Sequence, residues 1–144
     1  MGFDVAPEAY RHAVDPSEPF VAATRARFPG LRVLAGVAES LPFPDDAVDL
    51  ATAQLVVHFM SDPVAGLTEM ARVTRPGGTV AANVWDYAGD GGPLDTFWRA
   101  VQDVDPAAPR ESVVPGAREG ELEELFRAAG LLDVESWCAR GQVG

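Results

Sequence analysis

Apolar and polar positions divide this chain into amphipathic stretches separated by short apolar segments. Four stretches carry the 3.6-residue spacing of a helix. The first is predicted over Ser17 to Phe28, with Ser17 as cap and Pro19 in the first turn. Phe20, Ala23, Thr24, Arg27 and Phe28 fall on one side of it, and Pro29-Gly30 ends it. The second runs from Asp62, a capping residue before Pro63, to about Thr74, with Val64, Leu67, Met70 and Ala71 as its stripe and Pro76-Gly77-Gly78 beyond it. The third starts at Pro93 and places Leu94, Phe97, Trp98 and Val101 at i, i+3, i+4 and i+7. The fourth begins at Arg118 or Glu119 and ends at Ala129, with Leu122, Leu125, Phe126 and Ala129 facing inward and Gly130 as terminator.

The apolar segments between them read as strands: Arg32 to Val37, Ala47 to Ala53 with an extension toward Val57, Thr79 to Trp85, and Leu132 to Trp137. A shorter piece, His12-Ala13-Val14, stops at Asp15-Pro16. Several are apolar on both faces, the pattern of strands covered by helices on each side. Strands alternating with helices imply crossover connections and a mostly parallel, three-layer sheet. The fold class is α/β.

Composition narrows the partners more than it narrows the chemistry. The 144 residues form one domain of 1–144, and 47% of them are hydrophobic, enough to build a single core. Acids outnumber basic residues 22 to 11, every basic residue is arginine, and the formal charge is −11. A field of that sign repels a nucleic-acid backbone or an anionic membrane. No apolar run approaches the about 20 residues a membrane span needs. Cys138 is the only cysteine, which excludes an intramolecular disulfide and thiol-rich metal sites; no metal is expected. The chain reads as a cytoplasmic protein of a reducing compartment. Missing lysine and isoleucine, with abundant Ala, Val, Arg, Gly and Pro, point to a GC-rich bacterial genome.

In a parallel α/β sheet, ligands bind beyond the carboxyl ends of the strands. Asp15 stands at such an end and suits a ribose diol, although Asp15-Pro16-Ser17 also reads as a plain turn into a helix. Ala38-Glu39-Ser40-Leu41-Pro42-Phe43 follows the next strand, where Leu41 and Phe43 suit an adenine wall or a surface connection. Gln54 to Met60 leaves the following strand and contains His58, a base candidate or a structural histidine. His12 has less to recommend it. Cys138 reads as a buried small hydrophobe. Gly89-Asp90-Gly91-Gly92 lacks the spacing of a phosphate loop and reads as a turn.

Four runs, in order, resemble one family: Val14-Asp15-Pro16-Ser17, Ala38-Glu39-Ser40-Leu41-Pro42-Phe43-Pro44-Asp45, Val48-Asp49-Leu50, and Glu69-Met70-Ala71-Arg72-Val73-Thr74-Arg75-Pro76-Gly77-Gly78. They look like the class I S-adenosylmethionine-dependent methyltransferases, in the branch acting on small molecules, from roughly Ala13 to Val134. The resemblance implies a Rossmann-like sheet and S-adenosylmethionine as cofactor. It implies Asp15 on the cofactor ribose, Ala38 and Glu39 bordering adenine, Gln54 beside the methionine portion, and His58 as a substrate-facing residue or base. Arg75-Pro76-Gly77-Gly78 would be a structural turn.

The chain also departs from that pattern. The family's first strand ends in an acid-x-Gly-x-Gly-x-Gly loop, and no such segment occurs here. The expected sheet therefore lacks the first strand with its helix, and the last strand. A contracted sheet and an open one are both within the reach of the linker from Ala38 to Ala47. Exposed strand edges lead to the expectation of a homodimer, swapped or edge-paired. Two functions stay open: methyl transfer to a small-molecule acceptor, and a catalytically inactive dimeric scaffold or regulatory module that no longer binds the cofactor.

Overall fold

The computed structural model describes residues 12–86, 95–108, 115–116 and 118–138. Strand β1 (His12–Asp15) leads through α1 (Glu18–Arg27) to β2 (Arg32–Ala35). Strand β3 (Val48–Gln54) is followed by a 3-10 turn (Val57–Phe59), α2 (Pro63–Val73) and β4 (Thr74–Asn83). Helices α3 (Asp95–Val104) and α4 (Glu121–Ala128) complete the described elements. The predicted elements up to Asn83 are present within a few residues, and both strand pairs are parallel.

One continuous sheet does not form among the described residues. β1 pairs with β2, and β3 pairs with β4, in two separate two-stranded sheets. A contracted sheet with β1 against β3 is therefore not what the chain adopts. The two halves are joined by side chains instead, through the connection that follows β2. Arg72 on α2 donates to the carbonyls of Phe43 (2.9 Å) and Leu41 (3.2 Å), to Asp45 Oδ1 (2.7 Å), and to both oxygens of Glu69 (2.6 and 2.8 Å). Glu69 Oε2 in turn accepts the Leu41 N–H at 2.9 Å. A planar guanidinium with five donors suits this work, because it serves several carbonyl and carboxylate oxygens at once.

The core is centred on β3 and α2, where Ala53, Val57, Leu67 and Met70 are buried together. Leu122, Leu125, Phe126 and Ala129 pack against that cluster, as the periodicity of the fourth helix predicts. The smaller half buries Val21 and Val33. Helix α1 thus turns Val21 inward and leaves Phe20 and Phe28 exposed, the reverse of the predicted stripe. A two-stranded sheet covers only a narrow strip of the helix above it, which leaves no surface for the bulkier ring.

Three further expectations are corrected. Leu132 to Trp137 forms no strand; Asp133 has φ 51°, and Leu132 and Trp137 are exposed. A strand requires a neighbour for its ladder, and none lies beside this segment among the described residues. Cys138 is exposed, not buried. β4 starts at Thr74, five residues before the predicted Thr79, because α2 runs straight into it. Val48 pairs with Thr74 and Leu50 with Thr79, so residues 75–78 bulge from the ladder. Arg75 closes the bulge on Asp49 at 2.5 Å. Gly78 is required there: a Cβ would lie 2.6 Å from Thr74 Cγ2, 2.7 Å from the Asp49 carbonyl oxygen and 2.9 Å from that of Arg75. The Gly89 to Gly92 loop and the start of the third helix at Pro93 and Leu94 lie outside the described residues.

Candidate functional site

The carboxyl ends of β2 and β3 are tied together by Glu39. Its Oε1 accepts the backbone N–H groups of Ser61 (2.7 Å) and Asp62 (3.2 Å), joining the segment after β2 to the segment after β3. Its own backbone amide, then that of Asp62, hold the carboxyl below the usual glutamate range against desolvation, with lesser contributions from the Ser61 amide and, in opposition, the Asp62 charge. Glu39 is therefore an anion at neutral pH. It is a structural clasp as well as a candidate ligand group, and sequence reasoning saw only the second role.

Ala38, just before it, lies against α2. A Cβ built on Gly66 would come within 3.3 Å of the Ala38 Cβ, so glycine at 66 lets the connection approach the helix. Asp62 starts α2 as predicted, accepting the Ala65 N–H at 3.0 Å. Ser17 begins α1 differently from expectation: its hydroxyl makes no cap bond, and its N–H donates to Asp15 Oδ1 at 2.7 Å. Asp15 thus shapes the turn after β1, and its backbone oxygen accepts from Gly36 after β2 (3.2 Å). Leu41 joins the main core and the Phe43 ring lies 5.1 Å from the His12 ring at a 49° tilt, so neither is a free wall for a planar ligand.

Gln54 ends β3 and is exposed. Leu55 follows with φ 57° and donates its N–H to both the carbonyl oxygen and Oδ1 of Asn83, each at 3.0 Å. The chain then enters the 3-10 turn that carries His58, whose ring lies 4.1 Å from the Phe59 ring at a 46° tilt. His58 is half-buried and Phe59 is exposed. Asp15, Ala38, Glu39, Gln54 and His58 accordingly all follow, or end, a strand at its carboxyl side. The connection is direct for the residues after β2 and β3, through Glu39, and for those after β1 and β2, through Gly36. Sequence reasoning missed Asn83, and it took Glu69 and Arg72 only as parts of a motif. The signal for the latter pair was their i, i+3 spacing on a helix that follows an acidic connection.

No group of three or more His, Cys, Asp or Glu side chains forms a metal site among the described residues. No helix among them is long and apolar enough to cross a membrane.

Comparison with known proteins gives the same frame. A family model described as a methyltransferase domain matches residues 5–82. The uncharacterized methyltransferase YcgJ of Bacillus subtilis is 34% identical over 110 residues, covering 74% of this chain and 41% of that protein. The demethylmenaquinone methyltransferase of Beutenbergia cavernae is 47% identical over 64 residues, covering 44% of this chain and 27% of the enzyme. Among solved structures, a Thermotoga maritima methyltransferase described as a possible histamine N-methyltransferase superposes with a TM-score of 0.62 at 28% identity. That match covers 81% of this chain and 53% of the other. The chain spans about half the length of that solved relative, and less of the curated ones. The parallel strand pairs, the ordered motifs and these matches together make the chain a member of the class I S-adenosylmethionine-dependent methyltransferase family, with a Rossmann-like α/β fold.

Proposed function

We propose that this chain takes part in methyl transfer from S-adenosylmethionine to a small-molecule acceptor. The observation that supports the reading is that Asp15, Ala38, Glu39, Gln54 and His58 each end or follow a parallel strand at its carboxyl side, where an α/β sheet receives ligands, with Glu39 tying the segment after β2 to that after β3. The donor chemistry fits the cofactor. With Asp15 Oδ1 taken by Ser17, Oδ2 is the atom for the ribose diol. The Ala38–Glu39 backbone borders adenine, while the Glu39 carboxylate keeps that backbone in place against α2. Gln54 meets the methionine portion through its exposed carboxamide. When bound, the cofactor supplies a methyl group already activated on sulfur, so the main task of the protein is alignment. His58 is the base that takes the acceptor's proton.

A second copy of the chain belongs to this reading. Each described strand pairs on one side only, and Leu50 and Val56 on or just beyond β3 are exposed. Such edges and apolar side chains are the features a homodimer covers, by edge pairing or by exchange of an element. A monomeric mass by light scattering at micromolar concentration refutes the dimer.

The competing function is an inactive scaffold on the same fold, and one observation favours it: Asp15 and Glu39 each already spend a carboxylate oxygen on backbone amides. Calorimetric titration with S-adenosylhomocysteine separates the two. Saturable micromolar binding, weakened about tenfold in Asp15→Ala and unchanged in His58→Ala, supports methyl transfer. No heat up to millimolar ligand from folded protein leaves the scaffold.

A further inference from the structure

Three described residues other than glycine adopt left-handed backbone angles: Asp46, Leu55 and Asp133. Aspartate tolerates this region because its short polar side chain bonds locally, whereas leucine pays the full steric conflict of Cβ with the following carbonyl. Leu55 is therefore the one position where surrounding structure must impose the conformation, and an imposed backbone outlier at a strand end is a mark of function. What imposes it is visible. The Leu55 N–H is held by two acceptors of a single residue, the backbone oxygen and Oδ1 of Asn83, both at 3.0 Å. The first continues the ladder between β3 and β4. The second comes from a side chain that is otherwise exposed at the end of β4. The left-handed residue reverses the chain after Gln54 and delivers it into the turn Val57–Phe59, where the Phe59 N–H reaches the Val56 oxygen (2.9 Å) and the Met60 N–H that of Val57 (3.2 Å).

We propose that Asn83 is a positioning residue whose carboxamide locks Leu55 in the left-handed conformation, and so sets where Gln54 and His58 stand at the ligand end of the sheet. Its value for binding rests on the proposed function, whereas the lock itself does not. Without Oδ1 the Leu55 amide keeps only the ladder acceptor at a strand end, and the arm from Gln54 to Phe59 relaxes toward ordinary angles. Misplacement of this size by a residue away from the chemistry costs far more in alignment than in stability.

The test uses the full chain, labelled with nitrogen-15, and four variants: Asn83→Ala, Asn83→Asp, Leu55→Gly and the pair Asn83→Ala/Leu55→Gly. Asn83→Ala is expected to raise hydrogen exchange at the Leu55 amide about tenfold and to move the His58 and Phe59 ring resonances, with a melting temperature near that of the parent. Asn83→Asp keeps an accepting oxygen and restores both signals. Glycine adopts φ 57° without a lock, so Leu55→Gly matches the parent and the double variant recovers the ring positions. In the same series, S-adenosylhomocysteine binds about tenfold more weakly to Asn83→Ala and normally to Asn83→Asp. Unchanged exchange and unchanged ring resonances in Asn83→Ala overturn the proposal. So does loss of binding that Asn83→Asp fails to restore. If the parent chain binds no S-adenosylhomocysteine, the proposed function falls, and the lock is decided by the amide and ring signals alone.

Discussion

Replacing Gly78 with alanine tests the geometry on which the β3–β4 pair depends. The added Cβ would stand 2.6 Å from Thr74 Cγ2, 2.7 Å from the Asp49 carbonyl oxygen and 2.9 Å from the Arg75 carbonyl oxygen. Two of these three neighbours are backbone atoms, one on each strand, so neither can be relieved by turning a side chain. The bulge over residues 75–78 must open or the Val48–Thr74 pairing must slip. Overpacking of this kind costs about 3 kcal/mol at the upper end of its usual range. Alanine also stiffens the unfolded chain relative to glycine, which returns about 0.7 kcal/mol. The net loss is about 2 kcal/mol, or a fall of about 8 °C in melting temperature for a domain of this size. Gly30→Ala is the control: its Cβ would meet nothing within 4 Å, so only the unfolded-state gain applies. Urea denaturation followed by circular dichroism reads both variants, with equal m-values as the check that the unfolded states are comparable. If Gly78→Ala is as stable as Gly30→Ala, the close approach of β3 and the bulge is not rigid, and the account of residues 75–78 is wrong.

Other consequences follow from single contacts. Asp62→Ala removes the acceptor for the Ala65 N–H and should cost about 1 kcal/mol by urea denaturation, while Asp62→Asn should cost less than half of that. Leu67, fully buried between α2 and the sheet, should lose about 3 kcal/mol on truncation to alanine, whereas exposed Phe59→Ala should stay within about 0.5 kcal/mol of the parent. The Arg72 guanidinium, followed by the Leu41 amide and opposed by desolvation, holds the Glu69 carboxyl below its ordinary value of 4.5. A depressed carboxyl stabilises the fold above that value, and the contribution fades as pH falls through the lower, folded one. Glu69→Gln should accordingly show a shallower loss of urea midpoint below about pH 4.5 than the parent; parallel acid limbs would remove Glu69 from the account. Cys138 should react with Ellman's reagent in the native protein as fast as in urea, because it is exposed.

The sequence by itself determined the elements and their class. Pro63 behind Asp62, the Leu67–Met70 stripe, and the apolar strand segments before Asn83 are local signals, set by capping, periodicity and chain stiffness, and the structure carries them as helix α2 and strands of four to ten residues. The ordered acid-Leu-Pro-Phe-Pro-Asp and Arg-Pro-Gly-Gly runs were enough to indicate the family. The positions of the candidate residues Asp15, Ala38, Glu39, Gln54 and His58 were legible for the same reason: each ends or follows a strand, and strand ends are visible in sequence. Only the tertiary structure decided which strands pair. Pairing joins residues 20 or more apart, as His12 with Arg32 and Val48 with Thr74, and nothing local encodes whether β1 reaches β3. The inward side of α1 and the absence of a strand at Leu132–Trp137 depend on what lies next to them, so propensity could not supply either. The same holds for the clasps. In one dimension Arg72 reads only as part of a motif, and Glu39 as a ligand. In three they are the hydrogen-bonding centres that hold two small sheets together, because a carboxylate or guanidinium finds its partners by position in space and not by position in the chain.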